Sequence, residues 1–96
     1  MSDNIEILLK QKVKELGEFL ISICDDEKKR IEIKESIIEL PTYKILLFIN
    51  FLDLNKVEDQ IDDFIKMFKL NNSEQNRSEI KKYIDYFIEV KKIINE

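Results

Sequence analysis

Residues Tyr43 to Leu54 read YKILLFINFLDL. Nine of these twelve residues are apolar or aromatic, in a chain that is 38% charged. On a helical wheel the apolar side chains spread nearly all the way round and leave a narrow polar line through Asn50 and Asp53. A helix that is apolar on every side is normally buried. The stretch is therefore predicted to be a central helix, at about 43–54, that the rest of the chain wraps. Pro41 marks its start, because proline disfavours the helical conformation of the residue before it. Thr42 is placed to cap it.

Upstream, Ile5, Leu8, Leu9, Val13, Leu16, Leu20 and Ile23 recur at spacings of three or four, which stacks them on one side of a helix. Asp3 and Glu6 have the spacing of a capping box. Gly17 interrupts the pattern at a cost of about 1 kcal/mol against alanine, or marks a close approach by another helix. Residues 31–38 carry two periods at once. Ile31, Ile33 and Ile37 alternate as a strand would, while Ile33, Ile37 and Leu40 sit at helical spacing. A lone short strand has no pairing partner in this sequence, so helix is the expectation.

Downstream, Asn55 and Glu58 form a second candidate capping box ahead of an amphipathic run through Val57, Ile61, Phe64, Ile65 and Phe68. Residues 71–78, NNSEQNRS, are polar and read as a loop, with Ser73 or Ser78 capping a last helix. In that helix Ile80, Ile84, Phe87 and Ile94 form one row, which Tyr83, Val90 and Ile93 broaden. The fold class expected is all-α: a compact bundle of four to five helices, with 1–96 as a single helical domain. One Gly and one Pro argue against an all-β meander or barrel.

Composition also bounds the chemistry. There is no histidine, so the commonest general base and metal ligand is missing. One glycine cannot build a phosphate-cradling loop. A lone cysteine, Cys24, leaves neither an internal disulfide nor a Cys-type zinc cluster, and it suits a reducing cytosol. Its position at the end of an apolar stripe fits a small core residue. The longest apolar runs are too short to cross a bilayer, and no N-terminal signal pattern is present. A cytoplasmic, non-enzymatic protein without cofactor or metal is expected. The carboxylates Glu58, Asp59, Asp62 and Asp63 offer i, i+4 pairs to Mg²⁺, but a carboxylate metal site usually draws on more than one element.

The net charge of −4 argues against a general nucleic-acid or membrane-surface binder. Asp53, Lys56, Glu58, Asp59, Asp62 and Asp63 set five carboxylates against one lysine, a local charge as large as that of the whole chain. Such a patch can meet a basic surface on another protein. The apolar surface of residues 43–54 and of the last helix exceeds what three or four neighbours cover, and large exposed apolar patches usually mark interfaces. The function expected is a small protein-binding module of the inhibitor, immunity, adaptor or accessory-subunit type. Its partner is another protein chain, a target or a second copy in a homodimer. The candidate partner-binding residues are Asp53, Glu58, Asp59, Asp62, Asp63, Tyr83, Tyr86, Val90 and Ile93. The alternative is a helix-turn-helix regulator offering Arg77, Lys81 and Lys82 to phosphates, against which stand the long polar loop and the acidic patch beside it.

Overall fold

The computed structural model describes residues 3–95. They form an all-α bundle of five helices, with no strand among the described residues. We number the helices α1 (Asp3–Ser22), α2 (Glu27–Ile33), α3 (Thr42–Phe51), α4 (Val57–Met67) and α5 (Glu74–Ile94). A π-helical turn, Lys34–Ile38, prolongs α2, and a 3₁₀ turn, Leu54–Lys56, leads into α4. The ambiguous segment 31–38 is thus helical throughout, as expected of a short run with no strand to pair with.

One contiguous core joins all five helices. It takes Leu9, Val13, Leu16 and Leu20 from α1, Ile45 and Ile49 from α3, and Val57, Ile61 and Ile65 from α4. From α5 come Ile80, Ile84, Phe87 and Ile88. Ile33 and Ile37 enter from α2 and its π-turn, and Cys24 enters from the turn before it. The Cys24 thiol is fully buried and donates to Phe68 O at 3.4 Å, as a small core residue would. Each fully buried Leu, Ile or Phe contributes about 1.5–3 kcal/mol relative to leaving it in water.

Residues 43–54 depart from expectation. The helix ends at Phe51, and its neighbours cover only one side. Ile45 and Ile49 face inward, whereas Tyr43, Leu47 and Phe51, spaced by four on the opposite face, are exposed. So α3 lies at the surface, and α1 and α5 carry more of the core. Lys91 of α5 closes its C-terminus, donating from Nζ to Asn50 O at 3.0 Å and to Leu52 O at 2.8 Å. These carbonyls have no partner within the helix itself.

Several capping assignments also shift. Pro41, not Thr42, is the N-cap of α3, its carbonyl accepting from Lys44 and Ile45. Asp53, not Asn55, caps the turn into α4 and accepts from Asn55 N at 2.8 Å. Ser73 caps α5 by accepting from Asn76 N at 3.1 Å, so residues 74–78, expected as loop, are helical. The Asp3–Glu6 capping box falls on the Asp3 side chain, which lies outside the described residues. Leu8 is exposed and leaves the expected α1 stripe. Gly17 is the close approach: a Cβ there would stand 3.2 Å from Ile37 Cγ2 and would overlap Ile38 Cγ1.

Candidate functional site

Two of the exposed apolar side chains stand at one groove. Phe51, at the end of α3, is 82% exposed, and Met67, at the end of α4, is 56% exposed. Between them runs a groove of about 470 Å³. Phe48, Phe51 and Leu52 line it from the α3 end, and Ser36 and Ile37 from the π-turn. From α4 and its flanks come Lys56, Asp59, Gln60, Asp63, Phe64 and Met67, followed by Phe68. These positions recur at three and four residues along the whole of α4, so one face of that helix forms the groove's long wall. The floor is aromatic. Phe48 meets Phe64 edge-on, with ring centroids 6.2 Å apart, and meets the core residue Phe87 at 6.0 Å. The groove is therefore anchored to rigid packing. A shallower depression over Glu32, Glu35 and Ser36 adjoins it and shares Met67 and Phe68.

The acidic cluster on α4 is divided by its neighbours. Arg77 of α5 donates to Glu58 Oε2 and Asp62 Oδ1, each at 2.7 Å. The hydrogen bonds to Glu58 and then Asp62 hold the guanidinium above its usual pKa. Asp59 and Asp63 lie about 100° further round the helix, at the groove, and Asp59 also borders the depression lined by Glu58 and Lys81. Among the described residues no cation pairs with Asp59, Asp63 or Glu35. Glu32 is paired with Lys29 at 3.1 Å. No group of three or more candidate ligands among the described residues is arranged to hold a metal ion.

The nine candidate residues are thus not brought together. Asp59 and Asp63 rim the groove, while Glu58 and Asp62 are committed to Arg77. Asp53 is a cap. The tyrosines sit on the α1–α5 seam. Tyr83 packs on Phe19 with centroids 6.3 Å apart, and Lys12 Nζ stands 4.9 Å over the Tyr86 ring. Burial, then the nearby Glu15 carboxylate, raises the Tyr83 pKa. Val90 is half-buried against the core, and Ile93 is exposed. Sequence reading missed Phe51, Met67, Gln60 and Glu35. The four-residue spacing of Tyr43, Leu47 and Phe51, opposite Ile45 and Ile49, was the available signal.

Comparison of the chain with protein-family models, curated proteins and solved structures found no match. No helix among the described residues is long and apolar enough to cross a membrane.

Proposed function

We infer that the protein is a non-catalytic, cytoplasmic docking module that holds another protein chain through its apolar helix surface. The observation that carries this reading is Phe51, a large aromatic side chain left 82% exposed beside an apolar groove. So placed, it adds almost nothing to the stability of the free chain. Buried against a partner, an aromatic anchor of this kind contributes about 2 kcal/mol or more. Met67 at the same groove supplies an adaptable second contact.

A homodimer seamed along α5 has less to support it. Tyr83 and Tyr86 already pack under α1 side chains, and Ile93 is the one large apolar residue of α5 left exposed among those described. The helix-turn-helix alternative is weakened by the state of its cations. Arg77 is bound to Glu58 and Asp62, Lys81 to Asp85 at 2.8 Å, and Lys82 to Glu79 at 2.9 Å.

Size-exclusion chromatography of the native cell extract tests the docking reading. The wild-type chain should migrate in a larger assembly. The pair of substitutions Phe51→Ser and Met67→Ser should release it as a free monomer with unchanged helical circular dichroism. A wild-type chain that elutes as a free monomer overturns the reading.

A further inference from the structure

We propose that the occupant of the α3–α4 groove is an amphipathic helix with a basic polar face, supplied by a different protein. This inference rests on the docking reading above and names the chemistry of the partner.

Shape is the first ground. The groove follows α4 from Lys56 to Met67, a length of about 16 Å at 1.5 Å per residue, or three helical turns. Its wall is apolar through Phe64 and Met67, with Phe51 standing at its edge. A groove of that length between helices suits a helix presenting apolar anchors at i, i+3 or i+4, and i+7.

Charge is the second. Asp59 and Asp63 line the groove from α4, and Glu35 borders the adjoining depression from the π-turn. None of the three has a cationic partner among the described residues, whereas Glu58 and Asp62, on the same helix but turned away, share Arg77. Of the four α4 carboxylates, the two left without an ion pair are the two that line the groove, where Lys56 is the one cation among the lining residues. Lysines or arginines flanking an apolar stripe complement that pattern.

The same charges argue against a second copy of this chain. A two-fold axis through the groove would set the patch against itself. Asp59 and Asp63 of one copy would then share the seam with the same two carboxylates of the other, against a single lysine, Lys56, from each.

The test uses two synthetic amphipathic helical peptides with the same leucine face, one bearing lysines on its polar face and the other glutamates. Each is titrated into the full chain and followed by amide chemical shifts, at low and at physiological salt. The lysine peptide should move amides along 48–52 and 56–67, and its binding should weaken as salt screens the contact. Asp59→Asn with Asp63→Asn should weaken it about ten-fold. Glu79→Gln with Glu89→Gln, which removes equal charge from α5, should leave it unchanged. Equal binding of both peptides, or equal weakening by the two variant pairs, overturns the basic-helix proposal. So do groove shifts that grow with the chain's own concentration, the mark of a second copy. Those failures leave the docking reading standing, because it is decided by the chromatography of the Phe51 and Met67 substitutions.

Discussion

Arg77 donates from Nη1 to Asp62 Oδ1 at 2.7 Å, across the seam between α5 and α4. The same guanidinium takes Glu58 through Nη2, so one arginine pairs with both carboxylates on the face of α4 that turns away from the groove. Replacing it by glutamine leaves Glu58 and Asp62 repelling each other one helical turn apart. Arg77→Gln should lower the melting temperature, and the loss should shrink at high salt as the repulsion is screened. Thermal unfolding at low and high ionic strength measures both effects. An unchanged melting temperature at low salt would show that the pairing adds nothing.

Gly17 lets α1 pass close to the π-turn, where an added Cβ would overlap Ile38 Cγ1. In an open helix interior, Gly→Ala stabilises by about 1 kcal/mol. Here Gly17→Ala should destabilise by about 1–3 kcal/mol, the usual range for overpacking. Ile38→Ala removes the obstructing side chain, so in that background the same Gly17→Ala change should become stabilising. Urea unfolding of the four-member cycle reads the reversal, and a Gly17→Ala effect of the same sign in both backgrounds would refute the close approach.

Lys69 ends α4 in the left-handed conformation, at φ 52°. Leu70 N bonds back to Ile65 O at 2.9 Å and Lys69 N to Lys66 O at 3.4 Å, which makes the turn a Schellman cap. Non-glycine residues there carry a steric cost of about 1–2 kcal/mol. Lys69→Gly should therefore raise stability by about 1 kcal/mol in urea unfolding, despite losing the long, exposed contact from Lys69 to Asp26 at 3.7 Å. A destabilised variant would mean that the terminus does not need this backbone geometry.

Asp26 caps α2 by accepting from Lys29 N at 3.1 Å. That backbone hydrogen bond, with the charge of Lys69 behind it, holds the Asp26 pKa below its ordinary value. A depressed carboxylate pKa contributes stability above its unfolded value, and the contribution is lost as pH falls through the folded one. Asp26→Asn keeps an acceptor at the cap without the titration. The stability advantage of the wild-type chain over Asp26→Asn should thus shrink below about pH 4. Melting temperatures of the two proteins across the acid range test this, and a difference independent of pH would contradict it.

The all-α class was legible because apolar spacing fixes which side of each helix turns inward, and α1, α4 and α5 follow their stripes apart from Leu8 and Ile93. Tyr43–Leu54 was legible as a helix but not as a surface one. All-round apolarity normally signals burial, yet the neighbours of α3 reach only the face holding Ile45 and Ile49. The acidic cluster was visible as a run of residues. Its division was not, because that depends on Arg77 lying inside α5, and Ser73 starts the helix earlier than the polar run 71–78 suggests. The groove depends on the π-turn setting Ser36 and Ile37 opposite α4. A π-turn is a tertiary accommodation with no composition of its own to read. Lys69 likewise gives no sign, since the left-handed position it fills is usually marked by glycine.

The most direct measurement places a photo-crosslinking amino acid at position 51 in the cell that makes the protein, with the same probe at Lys14 on the exposed polar side of α1 as control. With Phe51 as the docking anchor, irradiation should join position 51 to a second protein chain and leave position 14 unjoined. No adduct at 51, or the same adducts at both positions, would contradict a docking role for this surface.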